Sequence, residues 1–285
     1  MNPDRLKNAG SKALLTVDDL RIAFPSRHGP VEVVRGVSFA LGRERLGIVG
    51  ESGSGKSQTG RAILGLTPRP GRATARTLDF DGIDLRHATP AAWRSLRGIR
   101  ISMIMQDPKF SLNPVMTIGR QLIEAARRTS SRAESKDRAM AMLEAVQIHD
   151  PYRVFGAYPH ELSGGMGQRA MIAMMLITEP DLLIADEPTS ALDVTVQIEV
   201  LRILDRLVTD RGMGLIFISH DLRLVSSFCD RVLVMYAGRV VEEVKAKDLI
   251  RAKHPYTQGL FKCLPLIDGD RAPLPTLQRD ADWAL

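Results

Sequence analysis

One segment of the sequence has the residue types and spacing to hold a phosphate chain. Residues 50–57 read GESGSGKS, follow an apolar run and open a helical pattern, which matches GxxxxGK[ST] in its required context. Glycines let successive N–H groups point at phosphate oxygens, and the helix N-terminus adds its positive dipole end. Lys56 would reach the β- and γ-phosphates, and the Ser57 hydroxyl would bind Mg²⁺. A chance glycine–serine turn is the alternative that this context argues against. The predicted nucleotide contacts in this segment are Gly50, Glu51, Ser52, Gly53, Ser54, Gly55, Lys56, Ser57 and Gln58.

A pair of adjacent carboxylates could supply hydrolytic chemistry. Asp186 and Glu187 directly follow the apolar run 182–185, and a carboxylate at the end of a buried strand is costly unless it meets a cation. Asp186 fits a Mg²⁺ partner acting through water, and Glu187 fits the group that polarises the attacking water. A pair of solvated residues at a strand end is the alternative.

A second glycine-rich turn could bind another anion. Residues 162–169 read LSGGMGQR and lead into a predicted helix over 167–177, so its N-terminus, with the Ser163 hydroxyl, could face a phosphate. Two such helix ends have two explanations. Either both face one nucleotide within the chain, or each faces a nucleotide shared with another chain.

Apolar runs of strand length supply the framework that must position these groups. Such runs are typical of strands buried on both faces of a parallel sheet, and their alternation with helical patterns indicates an α/β fold. The predicted strands are 46–49, 182–185, 215–218 and 232–236, with helices at 56–66 and 194–209. Residues 14–17 and 31–41, joined by the turn 25–30, predict an antiparallel lead-in.

The middle of the chain is more helical. Apolar residues at helical spacing predict helices at 117–128 and 135–148, joined by a linker at 129–132. These helices form an insertion of about 70 residues that interrupts the α/β core. After Val244 the pattern decays into a tail that contains several prolines.

Composition excludes several classes of protein. Hydrophobic residues make up 44% and charged residues 25% of the 285 residues, which excludes a disordered or collagenous chain. Two cysteines cannot form a disulfide framework and, with no signal peptide recognised, predict a reducing compartment. No apolar run approaches the roughly 18 residues of a membrane span. A net charge of +6 fits nucleic acid, phosphate ligands, anionic lipid or a merely charged surface.

In these motifs the chain resembles the ATP-binding cassette (ABC) ATPases over roughly residues 14–238, with LSGG as the most specific element. The other matching elements are Gln106 after the strand 101–105, residues 190–193 (SALD), His220 after the strand 215–218, and Phe24, where the family places an aromatic that stacks on adenine. The resemblance implies an α/β P-loop NTPase fold with a RecA-like parallel-sheet core, an antiparallel β lead-in, a helical signature subdomain and a short C-terminal extension. The expected boundaries are 13–244 for the cassette, about 107–178 for the helical subdomain and 245–285 for the extension.

The resemblance also implies a head-to-tail dimer that holds ATP between one chain's phosphate loop and the other chain's signature. Glu187 would be the general base, and His220 would contact the γ-phosphate and order the water. Gln106 would bind Mg²⁺ and sense the transmembrane partner. The signature residues expected at the nucleotide are Ser163, Gly164 and Gly165, joined by Asp193, which would couple the two sites; the expected Mg²⁺ ligands are Ser57, Gln106 and Asp186.

Further segments resemble the peptide/nickel importer branch of the family. They are 106–108 (QDP), 111–114 (SLNP), 117–119 (TIG), 185–195 and 254–258 (HPYTQ). This branch implies a second, usually different cassette, two permease subunits, an extracytoplasmic binding protein, and a peripheral position on the cytoplasmic face of the inner membrane. Met166 and residues 170–175 resemble the first of the two cassettes. No nucleic-acid partner is implied.

Two positions depart from that branch. Gly167 stands where the common form has arginine, which costs up to about 1 kcal/mol in helix propensity and should reduce function without abolishing it. Relatives also carry a cysteine cluster that binds iron–sulfur, whereas the tail here has Cys263 alone, so no cluster is expected.

Two other classes of function remain open. A soluble ABC ATPase acting on nucleic acid or ribosomes usually has two cassettes or a long coiled coil between phosphate loop and signature, and this sequence has one cassette and no room for the coiled coil. A P-loop kinase is the third class, and LSGG, Gln106 and His220 in register argue against it.

Overall fold

The computed structural model describes residues 13–106, 111–190, 192–263 and 283. These residues divide into two compact units, one formed up to Ala88 and from Ile216 onward, the other by Thr89–Leu215. The motif positions Asp107, Pro108 and Ala191 lie outside the described residues, as does most of the tail after Cys263. The predicted cassette and subdomain boundaries stay predictions.

The predicted elements form, most of them with small differences at their ends, and β1 extends well past its predicted end. The strands are β1 (Leu15–Phe24), β2 (Val31–Leu41), β3 (Arg45–Val49), β4 (Arg72–Thr74), β5 (Thr77–Phe80), β6 (Ile83–Asp84), β7 (Ile101–Ile104), β8 (Leu182–Asp186), β9 (Gly214–Ile218), β10 (Arg231–Tyr236) and β11 (Arg239–Lys245). The helices are α1 (Lys56–Ile63), α2 (Pro90–Leu96), α3 (Ile118–Ala126), α4 (Glu134–Ala145), α5 (Pro151–Gly156), α6 (Gly164–Leu176), α7 (Val194–Arg211), α8 (Leu222–Phe228) and α9 (Pro255–Lys262).

The first unit contains the antiparallel lead-in and the strand that carries the phosphate loop. An antiparallel sheet runs in the order β2-β1-β5-β6, with β4 beside β1. Strand β1 continues past its predicted end because the pairing register shifts between Val17 and Leu20, which accommodates two acidic residues. Strand β10 pairs parallel with β3 and antiparallel with β11.

The second unit contains the two strands that carry the acidic residues and the helical insertion. Strands β7 and β8 pair parallel, with Ile104 opposite Ala185, and all residues of both strands are buried. Helices α3 to α6 pack together in the same unit. Strand β9 runs from this unit into the first one.

Local backbone chemistry explains where elements end. Helix α1 stops short of its predicted end because Gly65, at φ 62°, leaves the helical region, and α4 stops before Gln147 at φ 60°. The chain beyond Val244 forms a 3₁₀ turn at Ala246–Arg251 and then α9, whose first residue is a proline that suits a helix start.

Within the described part of the chain no helix is both long and apolar enough to cross a membrane.

Candidate nucleotide site

The phosphate loop joins β3 to α1 and requires glycine at defined points. Gly50 has a φ of 149°, and a Cβ there would lie 2.1 Å from the Met235 carbonyl oxygen. Gly55 has a φ of 99°, and its Cβ would lie 2.7 Å from the Val33 carbonyl oxygen. The close approach of neighbouring backbone therefore leaves room for glycine alone at both positions.

Lys56 is buried at the centre of the loop, only 6% exposed. Its ammonium donates to the Gly50 carbonyl at 2.7 Å and the Glu51 carbonyl at 2.8 Å, and lies 3.5 Å from the Ser54 hydroxyl. The N-cap of α1 is Gly55, which has no side chain to cap the first turn. A buried cation surrounded by a loop and an uncapped helix N-terminus is a donor set that fits a nucleotide triphosphate.

The predicted carboxylates lie at the end of a parallel strand pair. Because carboxyl ends of parallel strands meet at one edge of a sheet, β7 and β8 bring Gln106 next to the acidic pair. The Gln106 Nε2 donates to Glu187 Oε2 at 2.8 Å. Asp186 is buried at 4% exposure. The sequence predicted these three residues but not the hydrogen bond between two of them.

The backbone at Glu187 is strained. Its φ of 48° lies in the left-handed region, which non-glycine residues rarely adopt. Such outliers persist only where surrounding structure holds them, and they concentrate at functional sites. The conformation is consistent with the predicted role of this residue.

The signature segment caps helix α6. The Ser163 hydroxyl accepts from Met166 N–H at 3.4 Å, and the helix begins at Gly164, three residues before its predicted start. Ser163, Gly165 and Asp193 line one pocket of about 400 Å³. The structure therefore brings together three of the residues predicted to contact nucleotide.

Gln168 is a site residue that the sequence reasoning missed. It is buried on α6, and its Nε2 donates to the Pro188 carbonyl at 2.8 Å, next to Glu187. Its Oε1 has no hydrogen-bond partner among the described residues. An uncharged polar residue on the buried face of a predicted helix was the signal that could have found it.

The remaining predicted residues lie at element ends. Asp193 caps α7 by accepting from Val196 N–H at 3.0 Å. His220 is exposed after β9, where Ser219 N–H donates to the Ile48 carbonyl at 3.2 Å. Phe24 ends β1, and its ring lies so close to the Gly71 backbone that a Cβ there would be 2.5 Å away. Phe24, His220 and the phosphate loop belong to the first unit, and the acidic pair, Gln106 and the signature belong to the second.

The buried lysine in a glycine-rich loop, together with carboxylates that follow an apolar strand, defines a P-loop nucleotide-binding protein. The family model described as ABC transporter matches residues 34–190. The chain belongs to the ABC transporter ATP-binding family, which confirms the predicted fold class and the predicted ATPase activity.

Curated relatives are similar along most of the chain. The dipeptide transport ATP-binding protein of Haemophilus influenzae is 46% identical over 93% of this chain and 82% of its own length. The oligopeptide transport ATP-binding protein of Salmonella typhimurium is 45% identical over 94% of this chain and 81% of its own length.

Solved structures share the fold. A dimeric bacterial ABC transporter cassette aligns with a TM-score of 0.72 at 25% identity, over 81% of this chain and 98% of that one. A bacterial Atm1-family ABC exporter with ATP bound aligns with a TM-score of 0.71 at 26% identity, over 93% of this chain and 43% of that one.

Proposed function

We propose that this chain is the ATP-hydrolysing subunit of an ABC importer for peptides, nickel or a related solute. The observation that carries the proposal is identity of 46% and 45%, along more than nine-tenths of the chain, with proteins named for dipeptide and oligopeptide transport. The buried Lys56 and the loop around it support ATP as the energy source.

The chemistry assigned to the chain's own residues is phosphoryl transfer to water. The loop N–H groups and Lys56 bind the triphosphate, and Glu187 accepts a proton from the attacking water. His220 contacts the γ-phosphate and orders that water. Gln106 holds the Glu187 carboxylate in the structure described here, so its hydrogen bond fixes the direction of the base.

The donor chemistry of Ser57, Gln106 and Asp186 fits Mg²⁺, which prefers hydroxyl, amide and carboxylate oxygens. When bound, this ion would neutralise charge on the phosphates. Among the described residues there is no cluster of three or more His, Cys, Asp or Glu side chains that could hold a metal. No iron–sulfur cluster is part of the proposal, because Cys263 is the only cysteine in the extension.

The proposed partners follow from the motif count. The chain has one phosphate loop and one signature, so it supplies two half-sites and needs a second cassette, in this branch usually a different chain. Two permease subunits bind the pair at the cytoplasmic face of the inner membrane, and an extracytoplasmic binding protein delivers the solute. Nucleic acid is not among the partners.

The test is ATP hydrolysis by the transporter reconstituted in vesicles with its binding protein. A peptide mixture should stimulate hydrolysis in the native complex, and Lys56→Ala should remove the stimulated rate. Stimulation by nickel alone would change the solute but keep the importer. Recovery of the chain on ribosomes or nucleic acid, with no permease bound, would overturn the proposal.

A further inference from the structure

The C-terminal extension contributes a buried side chain to the phosphate loop. Tyr256, the second residue of α9, is 0% exposed and is among the largest fully buried side chains described. Its hydroxyl oxygen accepts from the backbone N–H of Glu51 at 2.9 Å. A residue 205 positions away in sequence thus contacts the loop that the lysine occupies.

The peptide group that donates to Tyr256 is also contacted by the phosphate-binding lysine. The Gly50 carbonyl and the Glu51 N–H belong to one peptide unit. Lys56 donates to that carbonyl at 2.7 Å while Tyr256 accepts from that N–H. The peptide is therefore held from both sides, by the phosphate-binding lysine and by the tyrosine.

This peptide needs such restraint because it follows a glycine. Gly50 has no Cβ, so its own side chain does not limit how the Gly50–Glu51 peptide turns. A turned peptide would move the carbonyl away from the Lys56 ammonium. When the Glu51 N–H is held in one direction, the Gly50 carbonyl stays in contact with the Lys56 ammonium. The ammonium then remains in the position where it would bind a phosphate.

The surroundings of Tyr256 hold the hydroxyl in place. Its ring lies 4.5 Å from the Tyr236 ring and 5.9 Å from the Trp283 ring, between centroids. Glu242 on β11 accepts from the N–H groups of Lys253 and His254, which lead into α9. The turn after β10 also binds the loop, because Gly238 N–H donates to the Ser54 carbonyl at 3.1 Å.

We propose that Tyr256 is a positioning residue for the phosphate loop, and that the C-terminal helix α9 thereby sets the ATP affinity of its own subunit. The inference rests on the assignment of the loop as the ATP site and is independent of which solute is transported. Tyr256 acts through the Gly50–Glu51 peptide and does not contact the nucleotide itself.

The test compares Tyr256→Phe with Tyr236→Phe in the full chain. Both remove one hydroxyl from the same aromatic cluster, and only the first removes the acceptor for Glu51 N–H. The Tyr256→Phe variant should raise the dissociation constant for ATP, and the KM for ATP in the assembled complex, by about 5- to 10-fold. Its kcat should stay within about twofold, because saturating ATP restores the bound loop.

The control and the thermal melt decide the result. Tyr236→Phe should bind ATP like the native chain, and Tyr256→Phe should melt cooperatively, since its ring still fills the core. Native ATP affinity in folded Tyr256→Phe would overturn the inference. An equal loss of kcat with unchanged KM in both variants would also overturn it, because that pattern reports general packing. The measured quantities concern ATP and not the transported solute. A result that overturns the role of Tyr256 would therefore leave the importer proposal unaffected.

Discussion

At the scale of single residues, the surroundings of Glu187 separate it from other acidic residues whose backbone also has a positive φ. A left-handed φ costs of order 1–3 kcal/mol in a non-glycine residue, and Gln106 and Gln168 contact the segment that adopts it. Glu179 has a similar φ of 55°, but it forms ion pairs with Arg138 and Arg211. The two glutamates thus share a conformation and differ in surroundings.

This difference gives a matched test of the proposed base. Glu187→Gln should lower the ATP hydrolysis rate by at least about 100-fold, the range for loss of a general base, while ATP still binds. The amide keeps the size of the side chain but cannot accept the proton. Single-turnover hydrolysis and equilibrium ATP binding measure the two effects. Glu179→Gln is the control and should hydrolyse ATP at about the native rate; near-native hydrolysis by Glu187→Gln would show that another group is the base.

The two cysteines should differ sharply in reactivity. Burial raises the pKa of the Cys229 thiol to about 12, and the adjacent Asp230 charge adds to the rise. The reactive thiolate is therefore scarce at pH 8, well below that pKa. Cys263 is half-exposed, so iodoacetamide should label Cys263 alone in the native chain and both cysteines after unfolding. Mass spectrometry of the labelled peptides checks this, and rapid native labelling of Cys229 would contradict its burial.

At the scale of elements, the buried strands were the part of the fold that the sequence predicted best, because they coincide with apolar runs. Buried strands such as β8 are apolar on both faces, so their composition alone identifies them. The short strands β4 to β6 were missed because they contain no continuous apolar run: β4 is exposed throughout, β5 alternates buried and half-buried residues, and β6 has two half-buried residues. Helix α9 was missed because the segment after Val244 was described only as a tail with several prolines, whereas a proline in the first turn favours a helix.

The candidate site residues that stand next to buried strands could also be predicted from the sequence, but the contacts between them could not. Residues 50–57 and Asp186 stand next to strands, so their motifs predicted both chemistry and position. Contacts such as Gln106 with Glu187, or Tyr256 with Glu51, depend on which strands and loops become neighbours. That information is in the tertiary packing, and local sequence patterns do not contain it.

Helix capping beside His220 allows a test at this scale. Asp221 caps α8 by accepting from Arg223 N–H at 2.9 Å and Leu224 N–H at 3.0 Å. Asp221→Ala should lower the free energy of unfolding by about 1–2 kcal/mol, because both N–H groups lose their acceptor. Asp221→Asn keeps an acceptor oxygen and should fall within about 0.5 kcal/mol of the native chain. Urea unfolding measures both, and equal loss in the two variants would contradict the capping role.

At the scale of the whole molecule, several of the chain's basic residues are engaged in ion pairs. Arg45 pairs with Asp230 and Arg231 with Glu44 in the first unit, and Arg100 pairs with Asp181 in the second. An ion pair carries no net charge, so the surplus of +6 lies on other basic side chains. The transporter role therefore rests on the family match and the named relatives and not on the charge.

Because the chain has a single phosphate loop and a single signature, its proposed activity depends on association with a second cassette. With Glu187→Gln blocking hydrolysis, ATP should hold the chain and its partner cassette together, and sedimentation should report the pair only when ATP is present. Adding Gly165→Asp should abolish this association. Among the described residues, a Cβ at Gly165 meets only Leu192 Cδ2, at 3.7 Å. An acidic residue in the first turn of α6 also suits the helix dipole, so the variant should fold.

The new carboxylate would instead repel a triphosphate held by the other chain, as like charges a few ångströms apart cost free energy. Gly165→Ala adds the Cβ without the charge and should still associate, which separates repulsion from bulk. If the aspartate variant paired with ATP as well as the alanine variant, the signature would not face a nucleotide. The two glycine-rich helix ends would then belong to separate functions.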